Sequence, residues 1–160
     1  MKEPSPNKIT IICTANICRS PLGERLLAQA LATANGPVSE LEVVSAGVAA
    51  APGYEASAFS IEVLKQEGLD LSDHQSQPLT QQLVDESLFL LAMTESHRQI
   101  IDAIFKVRKG QVRLFREFMK PDQNQEIPDP FGGTLVLYKN TLNSVKEAIP
   151  SLVQFISENV

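Results

Sequence analysis

The chain begins polar and proline-bearing over Met1–Asn7, then turns abruptly apolar and β-branched at Ile9-Thr10-Ile11-Ile12, which predicts a buried strand over Lys8–Cys13. The period then changes. From about Ser20, Leu22, Leu26, Leu27, Ala30 and Leu31 recur at helical intervals, with Ser20 placed as N-cap, Pro21 at the first helical position and Gly36 as the stop. A second strand is predicted over Leu41–Ser45, followed by a Gly/Ala/Pro-rich loop to about Ser57 and a helix that ends near Gly68. Asp70–Pro78 reads as loop, with room for a brief strand or 3₁₀ turn, before a short helix capped by Thr80. Leu88–Met93 is continuously apolar between polar flanks, as in a strand buried on both faces, and a helix follows over Glu95–Phe105. Gln111–Phe115 is a fourth strand candidate, and Lys120–Gly133 a polar, proline-punctuated loop. The last helix starts near Thr134 and places Leu142, Val145, Ile149, Leu152, Val153 and Ile156 on one face, with Pro150 expected to kink or divide it. Strands alternating with helices predict an α/β fold whose parallel sheet is covered on both sides.

Composition narrows the classes of function. At 160 residues the chain suits a single domain over 1–160, with residues 1–7 as a flexible tail. An apolar fraction of 43% includes no stretch near the roughly 20 residues that span a bilayer. Nineteen acidic and 14 basic side chains give a net charge of -5, which argues against a broad nucleic-acid surface, so any phosphate must be bound locally. Nothing at the start has the form of a secretory signal, and the expected compartment is the cytoplasm. Two cysteines and two histidines, His74 and His97, lack the spacing of a metal finger, so no structural metal is expected.

The chemistry concentrates in Cys13-Thr14-Ala15-Asn16-Ile17-Cys18-Arg19-Ser20-Pro21. Ligands of open α/β sheets gather at the carboxyl ends of strands, and Cys13 closes the first one. The loop that follows runs into a helix N-terminus, where unbonded N–H groups and the macrodipole favour an anion. Arg19 adds a planar fork for two oxyanion oxygens. An ordinary thiol, with a pKa near 8.5, is only a few per cent thiolate at pH 7, so a cysteine nucleophile needs such surroundings. The same residues make a poor nucleotide P-loop, because Gly-x4-Gly-Lys-Ser/Thr is absent.

Cys13, five residues and then Arg19-Ser20, this close to the N-terminus after one strand, resembles the low-molecular-weight protein tyrosine phosphatase family, whose usual loop reads Cys-Thr-Gly-Asn-Ile-Cys-Arg-Ser-Pro. The resemblance continues through Ser45-Ala46-Gly47, Gly68–His74, Ala92-Met93-Thr94 and Asp129-Pro130-Phe131, hence over nearly the whole chain. It implies a three-layer α/β/α domain with a four-stranded parallel sheet and an N-terminal phosphate-binding loop. It also implies metal-free, cofactor-free hydrolysis of a phosphoprotein through a cysteinyl-phosphate. By the same resemblance Cys13 is the nucleophile, Arg19 the clamp, and the N–H groups from Thr14 through Ala15, Asn16, Ile17 and Cys18 to Arg19 the cradle. Ser20 supports the thiolate, while Ser45 and His74 support Asn16 in shaping the loop. Asp129 is implied as general acid, although an Asp-Pro pair by itself reads as a turn. Phe131 and Ile17 would wall the substrate, with Phe131 also able to desolvate Asp129. Cys18 reads either as a small filler or as a redox guard able to capture an oxidised Cys13. His74 reads as structural and His97 as a solvated surface residue.

The pattern departs from the family at Ala15, where the loop glycine is replaced: a positive φ there would cost about 1 kcal/mol, and otherwise the methyl only crowds the pocket. Gly132 follows Phe131 where animal members often carry a second aromatic, and the opposite wall is expected from Val48–Tyr54, with Tyr54 its one large side chain. The form Asp-Pro-Phe-Gly-Gly is similar to the bacterial type. A branch of that type acts on phosphoarginine and has threonine where Ile17 stands; apolar Ile17 suits an aryl ring, which favours phosphotyrosine. The alternatives are a protein-arginine phosphatase, a phosphate-binding module without turnover, and, least supported with only two cysteines, an arsenate reductase.

Overall fold

The computed structural model describes residues 6–160. Four strands, β1 (Lys8–Cys13), β2 (Glu42–Gly47), β3 (Ser87–Ala92) and β4 (Val112–Leu114), form one sheet in the order β2-β1-β3-β4, every neighbouring pair parallel. The helices are α1 (Arg19–Ala32), α2 (Ala58–Lys65), α3 (Gln81–Glu86), α4 (Glu95–Ile104) and α5 (Leu135–Glu158). The chain moves from β1 outward to β2, then returns to β3 on the other side of β1. That reversal leaves a crevice at the carboxyl ends of β1 and β3, where open α/β sheets bind their ligands.

Period-two alternation divides the core. Ile9, Ile11 and Cys13 of β1, with Phe89 and Leu91 of β3, face one cluster that α1, α2 and α5 cover through Leu22, Leu27, Leu64, Val145 and Leu152. Ile12, Leu90 and Ala92 face the other, closed by Val84 of α3 and Ile101 of α4. Cys13 thus points toward the side on which α1 packs. Its register partner across the sheet is Gly47, whose missing Cβ lets β2 lie against the carbonyl oxygen of Thr14.

The elements follow the sequence pattern with physical exceptions. The helix α1 starts at Arg19, two residues early, so Ser20 is no N-cap; it lies within the first turn and its hydroxyl is used elsewhere. Gly36 does not stop the helix, which gives way at Thr33; Gly36, with φ +92°, precedes a 3₁₀ turn over Pro37–Glu40 that the pattern did not reveal. Within Asp70–Pro78 the strand-like feature reduces to one parallel bridge between Gly47 and Pro78. Thr80 caps α3 as expected, accepting from the Leu83 N–H. Pro150 does not divide α5; the carbonyl it leaves unbonded belongs to exposed Lys146, where water can serve it. Of the expected tail, residues 1–5 lie outside the described residues, whereas the Asn7 N–H donates to the Glu86 carbonyl and its own carbonyl accepts from Glu42. No described helix is long and apolar enough to cross a membrane.

Candidate active site

The loop after β1 turns its carbonyls outward. Val48 donates to the Cys13 carbonyl, Ala49 to that of Thr14 and Ser57 to that of Ile17, each through its backbone N–H. The Ser60 hydroxyl donates to the Cys18 carbonyl, and His74 Nε2–H to that of Asn16 at 2.7 Å. By contrast, among the described residues no loop carbonyl or side chain accepts from the N–H groups of Ala15, Asn16, Ile17 or Cys18. A loop with satisfied acceptors and free donors at a helix N-terminus is built for an anion.

Its shape depends on Asn16, the one described non-glycine residue with positive φ, at +60°. The Asn16 amide donates to Ser20 Oγ at 2.8 Å and to Ser45 Oγ at 2.9 Å, while Oδ1 accepts from the Gln77 N–H. These bonds fix two proton directions, because an amide NH₂ can only donate. The Ser45 hydroxyl donates to Glu24 Oε1 at 2.9 Å. Ser20 is left free to donate to Cys13 Sγ, 2.9 Å away. Ala15 has no positive φ, so its replacement of glycine costs no backbone strain; the residue is exposed and its methyl lines the pocket.

The pocket encloses about 220 Å³ between Cys13, Thr14, Ala15, Ile17, Cys18, Arg19, Asp129 and Phe131. Arg19 is buried, with Nη1 donating to the Ile127 carbonyl at 3.0 Å and Nη2 to Thr14 Oγ1 at 3.3 Å. Its Nε–H is the one buried side-chain donor among the described residues without a partner. Nη2 also stands 3.7 Å from Asp129 Oδ2, while Asp129 Oδ1 accepts from the Phe131 N–H. The Asp129 side chain remains half exposed and Phe131 is 69% exposed, so the ring walls the mouth without burying the carboxylate. The loop of Val48–Tyr54 contributes nothing to this lining; Tyr54 faces solvent, and the two large walls are Ile17 and Phe131.

Both cysteines are buried and free. Burial pushes the Cys18 thiol up, an effect that its contacts with Ser57 Oγ at 3.5 Å and Tyr138 OH at 3.4 Å partly offset and that the negative charges of Asp129 and Cys13 reinforce. Among the described residues no cluster of three or more His, Cys, Asp or Glu side chains could hold a metal ion.

His97 reverses its sequence reading: it is buried, not solvated. The local pattern Thr94-Glu95-Ser96-His97 marks a helix cap just after β3, which puts the third helical position near the carboxyl end of the sheet, but it does not tell which loop lies over it. Glu24, Gln77 and the Ile127 carbonyl escaped the sequence reading as well, and no local pattern marks them. Thr14 through Ser20, Ser45, His74, Asp129 and Phe131 were foreseen, and all stand within this one constellation.

Comparison with known proteins leads to the same place. The family described as low molecular weight phosphotyrosine protein phosphatase matches residues 8–160. The chain is 33% identical to a protein-arginine-phosphatase of Bacillus subtilis (strain 168), over 94% of this chain and 97% of that protein. It is 32% identical to the probable low molecular weight protein-tyrosine-phosphatase EpsP of Ralstonia solanacearum, over 91% and 92% of the two chains. The crystal structure of the Erwinia amylovora tyrosine phosphatase AmsI superimposes with a TM-score of 0.81 at 31% identity, covering 92% of this chain and 91% of that one.

Proposed function

The chain belongs to the low molecular weight phosphotyrosine protein phosphatase family, and we infer that it is a phosphatase that hydrolyses phosphotyrosine in proteins through a phosphocysteine at Cys13. The observation that carries this reading is the pairing of a loop of free N–H donors around Cys13 Sγ with the Arg19 guanidinium and the Asp129 carboxylate at its mouth. In the first step the Cys13 thiolate attacks phosphorus, the bond from phosphorus to the phenolic oxygen breaks, and Asp129 gives that oxygen its proton. In the second, the Asp129 carboxylate takes a proton from water as the water oxygen bonds to phosphorus, and the S–P bond breaks to release phosphate. The amides and Arg19, with its unpaired Nε–H, hold the equatorial oxygens, and the Ser20 hydroxyl donates to the sulfur whenever it carries the negative charge. Ile17 and Phe131 flank the ring. Cys18 is the guard: Cys13 sulfenic acid and the Cys18 thiol condense to a disulfide and water. The whole chain acts as one domain, and its free thiols suit the reducing cytoplasm.

Hydrolysis of phosphoarginine is the second reading, favoured by the 33% identity to a protein-arginine-phosphatase. The apolar Ile17 wall argues for the aryl substrate. Steady-state turnover of an aryl phosphate and a phosphoarginine peptide, measured side by side, tests both. Aryl-phosphate turnover should vanish in Cys13→Ser and fall about 10²- to 10³-fold in Asp129→Ala. Preference for phosphoarginine would select the second reading, and vanadate binding without any turnover would make the domain a binding module.

A further inference from the structure

His97 is 4% exposed and sits between two threonines. Its Nε2 is 2.8 Å from Thr14 Oγ1 in the phosphate loop, and its Nδ1 is 3.0 Å from Thr94 Oγ1 at the start of α4. Thr94 Oγ1 also accepts the His97 N–H as the helix cap, and Thr14 Oγ1 accepts from Arg19 Nη2. Burial and the adjacent Arg19 charge lower the imidazole pKa to about 4, so it is neutral at physiological pH and donates from one nitrogen only.

Each tautomer gives one threonine oxygen two protons to accept, and the two differ in which threonine keeps a spare O–H. When Thr94, capping α4, donates its O–H to Nδ1, the spare one falls on Thr14, the more exposed of the two. Nε2–H then donates to Thr14, whose oxygen receives both His97 and Arg19. This leaves the Thr14 O–H unengaged on a residue that lines the pocket. The reverse tautomer would leave the spare O–H on Thr94 and turn the Thr14 proton onto Nε2, away from the anion.

We propose that His97 is a positioning residue of the phosphoryl site: it holds Thr14 so that the Thr14 hydroxyl donates to a bound oxyanion while its oxygen steadies one arm of Arg19. The proposal rests on the phosphatase reading only for its kinetic consequence, since oxyanion binding is expected of the cradle with or without turnover. Arg19 is then tied at both ends, Nη1 by the Ile127 carbonyl and Nη2 by the threonine that His97 positions.

The test is calorimetric binding of inorganic phosphate to the wild type, His97→Leu, His97→Gln, Thr14→Val and the His97→Leu/Thr14→Val double variant, together with kcat and KM for an aryl phosphate. His97→Leu keeps the apolar bulk and removes the donor, and should weaken phosphate binding about tenfold. It should also lower kcat, because the Arg19 arm it frees serves the transition state. His97→Gln, with an amide that can reach Thr14, should recover most of both losses. Thr14→Val should lose at least as much as His97→Leu, and the double variant should lose no more than Thr14→Val alone, because the histidine acts through that hydroxyl. Phosphate affinity and kcat within twofold of wild type in His97→Leu, or additive losses in the double variant, would overturn the proposal. If His97→Leu does not fold, an unaltered phosphate affinity in Thr14→Val overturns it equally. Wild-type phosphate binding without turnover would instead sink the phosphatase reading and leave the affinity comparison decisive for His97.

Discussion

Cys13 and Cys18 are five positions apart and line one pocket, yet their surroundings differ. Cys13 Sγ receives a hydroxyl proton from Ser20 at the start of α1, whereas Cys18 is held beneath Ser57 and Tyr138, its thiol pushed up by burial. Iodoacetate, an anion that the cradle itself attracts, should therefore carboxymethylate Cys13 alone in the folded protein, and inorganic phosphate should protect it. Peptide mass spectrometry after brief treatment at neutral pH checks this, and labelling of Cys18 at a comparable rate would mean that the cradle does not govern reactivity. Ile17 carries the choice of substrate at the same scale. Replacing it with threonine removes one apolar wall and adds a hydroxyl suited to a guanidinium, so the kcat/KM ratio of phosphoarginine peptide to aryl phosphate should rise about tenfold or more in Ile17→Thr. An unchanged ratio would shift the choice to Phe131 or to surfaces outside the pocket.

At the scale of elements, the phosphate loop keeps its form because β2 and the following loop lie directly against it. A Cβ on Gly47 would strike the Thr14 carbonyl and come within 2.8 Å of Ala50 Cβ and 3.0 Å of the Asn16 nitrogen. Two of these atoms are loop backbone, with no rotamer to yield. Gly47→Ala should cost about 1–3 kcal/mol by overpacking and weaken phosphate binding beyond what the lower stability explains. Denaturant melts and calorimetry on the same sample separate the two effects. This part of the site was only half legible: Ser45-Ala46-Gly47 marked itself by resemblance, but the contact that explains the glycine joins segments distant in sequence. The acid loop shows the same division. Asp129 stood out in Asp-Pro-Phe-Gly-Gly, yet its loop is held by Arg116, which donates to the carbonyls of Asn124 and Ser144 from 4% exposure, and by the Ile127 N–H on the Met93 carbonyl. Nothing in the sequence around Arg116 announces that task.

For the molecule as a whole, periodicity revealed the strands and most helices because each must bury an apolar face, and that requirement is written locally. It did not reveal the order of strands in the sheet, nor that the turn of β3 into α4 would carry His97 under the phosphate loop, since both depend on which distant segments pair. The burial of His97 has a consequence that only the whole fold expresses. With a folded pKa of about 4 against an ordinary 6.5, the unfolded chain takes up a proton between those limits that the folded chain refuses. Stability is unaffected by this group above pH 6.5, falls as the pH drops through the window, and has lost up to about 3 kcal/mol once the pH is below 4. The cause is chiefly desolvation, with the Arg19 charge adding to it and the carboxylates of Asp129 and Glu126 opposing it. Carboxylates elsewhere impose their own pH dependence, so the informative quantity is the difference between the wild type and His97→Leu. Urea melts from pH 7 to 4.5 should show the wild type losing stability more steeply, the gap at pH 7 narrowing as the acid penalty grows. Parallel curves would mean that the folded protein accepts this proton near the ordinary histidine pKa, and that water reaches the imidazole between Thr14 and Thr94.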